Sequence, residues 1–156
     1  MDNEQVFSAE VHAPLPHCFA TITDFPRYPE WFSTVKRIKV LTRYRDGLAK
    51  RVEYHVDMIL KTVRYVLEYE YDKPKQLTWT AVEGDIEAIE GAYVFEKLGA
   101  NRTRASCRQA VALGFWVPGP IRNLIERQAL KQSVLEFKAA AEKTAPAATT
   151  PRRRKS

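Results

Sequence analysis

Cysteine is nearly missing from this chain of 156 residues: Cys18 and Cys107 are the only two. They lie far apart and in no spacing that makes a zinc site or a redox dithiol, which leaves two free thiols in a reducing compartment. Histidine is confined to His12, His17 and His55. No apolar run approaches the length of a membrane span, and Met1-Asp2-Asn3-Glu4 lacks the basic region and apolar stretch of a secretory leader. A cytoplasmic protein is expected. Acid is absent from residues 143–156, which hold Lys143, Arg152, Arg153, Arg154 and Lys155. The net charge of +6 therefore falls to +1 over the rest, where 20 basic residues face 19 acidic ones. A near-neutral body argues against a domain built to grip a phosphate backbone.

What the chain does contain is material for one core, with 45% apolar and 11% aromatic residues. Alternation over residues 4–12 predicts a first strand ending at Ala13-Pro14. Pro14 and Pro16 then open a short helix carrying Cys18, Phe19 and Ile22 at helical spacing. Asp24 precedes a second short helix through Arg27-Tyr28-Pro29-Glu30-Trp31-Phe32, with its carboxylate placed to cap it. From Val35 on, six further strands alternate between turns at Asp46-Gly47, Lys61-Thr62, Lys73-Pro74, Gly84-Asp85 and Gly99-Ala100-Asn101.

Parity assigns the faces. Tyr54, Met58, Tyr65, Leu67, Tyr69, Trp79, Tyr93, Phe95, Cys107 and Gln109 point inward, and Arg51, Glu53, His55, Arg64, Glu68 and Glu70 point to water. A turn centred on Lys61-Thr62 pairs Met58 with Tyr65, Val56 with Leu67 and Tyr54 with Tyr69. A loop over Arg45-Asp46-Gly47 sets Ile38 opposite Tyr54, with Gly47 left-handed. Tyr93 pairs with Cys107, while Gly91 is a candidate bulge. After Phe115-Trp116-Val117, one long helix runs with Leu124, Ile125, Leu130, Val134 and Phe137 on a wide apolar arc. The expected boundaries are a domain over 1–143 and a disordered basic tail over 144–156.

The order of these elements, an α+β arrangement of a seven-stranded curved antiparallel sheet wrapped around a C-terminal helix, is that of the helix-grip fold. Val11-His12-Ala13-Pro14, Phe19, Asp24, Arg27-Tyr28-Pro29-Glu30-Trp31, Gly91-Ala92-Tyr93-Val94-Phe95 and Thr103 together resemble the START-like (SRPBCC) superfamily of polyketide cyclase/dehydrase and coenzyme Q-binding type. The resemblance covers residues 4–142. It implies a cavity between sheet and helix that takes a lipid, quinone or polyketide-like molecule; from the residues themselves no cofactor or metal is expected.

The inward tyrosines and Trp79 suit a planar or polyprenyl ligand, since rings supply apolar surface while phenols fix orientation. The plainer alternative is a filled core. Tyr28 and Trp31 are expected at the cavity entrance, where Trp31 is either a lid or a pin, and Trp116 is a second candidate for that border. Catalytic equipment is sparse: the histidines fall outside the core, Cys107 has no histidine beside it, and Glu90 has no assigned face. Three functions fit: carriage of a hydrophobic molecule, which the residues favour; an aromatase/cyclase or dehydratase that shapes its substrate through Tyr54, Tyr65, Tyr69 or Gln109; and an interaction module with a collapsed pocket. Arg152–Lys155 suit contact with an anionic membrane, with nucleic acid less favoured.

Overall fold

A computed structural model of the chain describes residues 4–146. Seven strands, β1 (Gln5–Val11), β2 (Val35–Arg43), β3 (Ala49–Asp57), β4 (Thr62–Asp72), β5 (Gln76–Gly84), β6 (Ala88–Gly99) and β7 (Arg102–Ala112), form one antiparallel sheet in the order β1-β7-β6-β5-β4-β3-β2. Between β1 and β2 lie α1 (Leu15–Thr23), a 3-10 turn (Phe25–Arg27) and α2 (Tyr28–Trp31). The C-terminal helix joins α3 (Gly119–Asn123), a π turn (Leu124–Gln128) and α4 (Ala129–Thr144). This is the expected helix-grip fold. The basic tail expected from 144 onward lies, except for 144–146, outside the described residues, and Arg152–Lys155 with it.

The inward faces follow the alternation. Val52, Tyr54, Val56, Val63, Tyr65, Leu67, Tyr69, Leu77, Trp79, Tyr93, Phe95, Ala105 and Cys107 are buried. They pack with Leu130, Val134, Phe137 and Ala141 of α4 in one core cluster. Phe137, fully buried, sets its ring 5.4 Å from Tyr93, 5.8 Å from Phe95 and 6.1 Å from Trp31, so it ties the helix to the sheet and to α2. Thr103 Oγ1 donates to the Ala13 carbonyl at 2.8 Å, which fixes the end of β1 where α1 begins.

The π turn has a local cause in the spacing of apolar residues. Ile121, Ile125, Leu130, Val134, Phe137 and Ala141 advance by four, five, four, three and four. A step of five is too long for one α-helical turn, and the wider π turn keeps Ile125 and Leu130 on the same face.

Several expectations need correction. In β3–β4 the register sets Tyr54 against Tyr65 and Val52 against Leu67, so the turn centres on Ile59-Leu60 rather than Lys61-Thr62. The slip is an even number of residues, so every inward side chain stays inward. Met58, however, leaves the strand for the turn, where its N–H donates to the Lys61 carbonyl at 2.9 Å. Gly91 is not a bulge: it pairs in unbroken register with Trp79 and Gln109. The Asp24 side chain caps neither following helix; its carbonyl accepts the Arg27 N–H at 3.1 Å, and the Arg27 guanidinium pairs with Glu30. Glu90 faces solvent. As expected, Ile38 opposes Tyr54, Gly47 has φ +96°, and Tyr93 pairs with Cys107.

Candidate ligand chamber

Alternation on β3–β7 puts large rings on the concave side, and rings of this size do not interdigitate fully with a single helix. A chamber of about 100 Å³ remains between them. Eight of the ten inward candidates line it: Tyr54, Tyr65, Leu67, Tyr69, Trp79, Tyr93, Cys107 and Gln109. Phe95 sits behind that wall, stacked on Tyr93 with ring centres 5.6 Å apart. A second, outer chamber of about 230 Å³ lies between the β3–β4 turn and the start of the C-terminal helix, and Met58 belongs to it. Phe32, Thr34, Val56, Tyr65, Gln109, Leu130 and Ser133 line both chambers. Each is smaller than the roughly 300 Å³ at the lower end of small-molecule pockets.

Tyr28 is part of the inner wall, and its hydroxyl donates to the Ile22 carbonyl at 2.5 Å. Trp31 and Trp116 line neither chamber. Trp31 stacks on Phe32 and meets Phe137 at the side of the core, in the arrangement of a pin. Trp116 stands 81% exposed. The histidines are placed as expected. His12 is exposed, His17 Nε2 lies 3.0 Å from the Ala141 carbonyl outside the chambers, and His55 is on the outer face 3.7 Å from Glu53.

The polar groups of the inner wall are all uncharged. Tyr54 and Tyr69 share a hydrogen bond between their hydroxyls at 2.5 Å, which occupies one of the two protons. Tyr65 and Tyr93 are 9% and 6% exposed, and neither hydroxyl has a hydrogen-bond partner among the described residues. Burial raises all four phenols above the usual tyrosine value, so each keeps its proton at neutral pH. Burial likewise pushes the Cys107 thiol up, which removes the thiolate that nucleophilic chemistry requires.

Gln109 completes the set. Trp79 Nε1 donates to its side-chain oxygen at 2.9 Å, and because an indole N–H only donates, the Gln109 amide nitrogen must turn the other way. Trp79 itself rests on Gly91, where a Cβ would lie 2.4 Å from the indole ring. Sequence reasoning missed this role of Gly91, although a glycine inside a strand is the usual signal of close approach. Gly91→Ala is therefore expected to drive the indole off its seat, break the bond to Gln109 and cost roughly 1–3 kcal/mol through overpacking. A thermal melt and a change in tryptophan emission relative to the parent protein check this.

The wall thus offers neutral hydrogen-bond donors inside an apolar shell, with no carboxylate, imidazole or ammonium among its lining residues. Fold and chamber define a START-like helix-grip protein. The chain belongs to the polyketide cyclase/dehydrase and lipid transport family, whose model matches residues 11–138. Among solved structures it is similar to a START superfamily protein from Mycobacterium smegmatis, with 21% identity, TM-score 0.82 and coverage of 90% of this chain and 97% of that one. It is also similar to the Zhui aromatase/cyclase from a Streptomyces species, with 16% identity, TM-score 0.78 and coverage of 94% and 97%. The di-domain ARO/CYC StfQ of the steffimycin biosynthetic pathway matches at 17% identity and TM-score 0.69, over 89% of this chain and 44% of that one. No curated protein matches the sequence significantly. Among the described residues no helix is long and apolar enough to cross a membrane.

Proposed function

We propose that the protein binds and carries an uncharged hydrophobic molecule whose head bears acceptor oxygens, as a quinone or cyclic ketone does. The head would occupy the inner chamber and an apolar remainder the outer one. The observation that carries this reading is the pair of buried phenols, Tyr65 and Tyr93, each lining the chamber without a protein partner. Buried hydroxyls left unmade are costly, and a ligand carbonyl satisfies them. An anionic ligand is disfavoured because no cation lines the chamber.

Titration of tryptophan emission with a neutral naphthoquinone tests it. Binding is expected, with Tyr65→Phe and Tyr93→Phe each weakening it by about tenfold, the worth of one hydrogen bond to a buried acceptor. Native mass spectrometry followed by solvent extraction of fresh protein gives the resident molecule. A protein that binds neither naphthoquinone nor poly-ketone, and yields no apolar compound, sinks the reading.

A second reading, an aromatase/cyclase, is favoured by the likeness to the Zhui enzyme and by the same neutral phenols. Phenols hydrogen-bonded to ketone oxygens make the adjacent carbon more acidic and hold a flexible chain folded. The inner wall offers no base to take that proton, so this reading requires one from the substrate or from water. Turnover of a poly-β-ketone mimic that disappears in Tyr65→Phe distinguishes it from carriage.

A further inference from the structure

We propose that a third cavity, where α1 and α2 meet the C-terminal end of α4, binds a small zwitterion: an α-amino acid with an aromatic side chain. This site shares no lining residue with either chamber and stands apart from the carrier reading.

The cleft has a volume of about 310 Å³, more than either chamber and within the range of small-molecule pockets. Two anchors set its width. Toward the end of α4, His17 Nε2 lies 3.0 Å from the Ala141 carbonyl and 3.0 Å from Thr144 Oγ1. A carbonyl only accepts, so Nε2 carries the proton and ties α1 to α4. Further back along α4, the Trp31 ring meets Phe137 with centres 6.1 Å apart. Ala20 and Ala140 also line the cleft, and their side chains are too short to fill it. The space is therefore set by helix packing before any ligand arrives, which lowers the cost of binding.

Charge and shape select the ligand. The lining holds two acids, Asp24 and Glu30, and two bases, Arg27 and Lys143. Equal numbers of each sign disfavour a phosphate or a polyamine. Arg27 and Glu30 neutralise one another through an ion pair at 3.1 Å. Asp24 and Lys143 do not: neither enters an ion pair among the described residues. Asp24 follows α1 on one wall and Lys143 belongs to α4 on the other. A single molecule between them meets an anion on one side and a cation on the other. Its ammonium can donate to Asp24 and its carboxylate can accept from Lys143. Either contact alone is a surface ion pair of small worth, but one molecule making both is immobilised only once. Trp31 and the two alanines give its side chain an aromatic wall and an apolar floor. The inner chamber, with no charge in its lining, has the opposite chemistry. Only the rings of Trp31 and Tyr28, 4.9 Å apart, link the cleft to the chamber wall.

The test is calorimetric titration of the full chain with three probes that share one ring: L-phenylalanine, 2-phenylethylamine and 3-phenylpropanoate. L-Phenylalanine is expected to bind, and each single-charge analogue to bind about three- to tenfold more weakly. Asp24→Asn should lower L-phenylalanine to the level of 3-phenylpropanoate and leave 3-phenylpropanoate unchanged. Lys143→Gln should lower it to the level of 2-phenylethylamine and leave that amine unchanged. Ala20→Leu, at an exposed position of α1, should fill the cleft and remove all three while the thermal melt stays close to that of the parent. Glycerophosphocholine, a zwitterion whose cation has no N–H to donate, should not compete. No binding of L-phenylalanine, equal binding of the three probes, or binding untouched by these substitutions overturns the site. So does displacement of L-phenylalanine by naphthoquinone, which would put both in the chamber. Failure of naphthoquinone to bind the parent protein counts against the carrier reading alone.

Discussion

Raising the pH through about 10 is expected to unfold the protein in one steep transition. Tyr28, Tyr54, Tyr65, Tyr69 and Tyr93 are buried, and desolvation, the leading cause in each case, holds all five phenols above the ordinary value of about 10. The sign follows from where protons are bound. Above pH 10 the unfolded chain releases these five protons while the folded chain keeps them, so the unfolded state binds fewer and stability falls as pH rises. Below about pH 9 both states retain them and these groups contribute no pH dependence. Five groups at about 1.4 kcal/mol per pH unit give a limiting slope near 7 kcal/mol per unit, enough to consume the roughly 5–15 kcal/mol of an ordinary domain within two units. Phenolate absorbance and far-ultraviolet circular dichroism should therefore change together. Absorbance that rises stepwise while the fold persists would mean that the tyrosine hydroxyls are reached by water.

Phe137→Ala is expected to cost roughly 3–5 kcal/mol, the range for removing a buried aromatic ring. Phe137 is at the upper end because its ring touches three others, on β6 and on α2, that cannot all close over the gap. Chemical denaturation checks the magnitude. The unfolding slope should stay near that of the parent, since the surface exposed on unfolding barely changes. If the cost is under 1 kcal/mol, the helix is not held by this ring and the interior repacks freely. The same variant enlarges the space behind Tyr93, so a bulkier naphthoquinone should gain relative to a small one.

How much of this was legible beforehand depends on what period-two alternation encodes. It encodes the face of each residue, which is why Tyr54, Tyr65, Tyr69, Trp79 and Tyr93 were placed inward correctly. It does not encode turn length: moving the β3–β4 turn from Lys61-Thr62 to Ile59-Leu60 preserves parity, so only the end of the strand, Met58 and Leu60, changed its surroundings. The turn itself was obscured because its left-handed residue is an isoleucine, not the glycine or asparagine that marks such positions. Gly91 gave a true signal of close approach that was read as a bulge. The two free phenols were out of reach, because an unsatisfied hydroxyl is a property of three-dimensional neighbours.

The π turn of the C-terminal helix places a constraint of another kind. It acts as a spacer that brings the buried stripe of α4, from Leu130 on, into phase with Ile125 one turn before it. Losing one residue from 124–128 would restore an ordinary α-helix and swing everything before it by about 100° around the axis. Residues before the deletion would lose their present facing, and the segment leading in from β7 would no longer reach. In this stretch evolution is free to exchange side chains but is held to a fixed number of them.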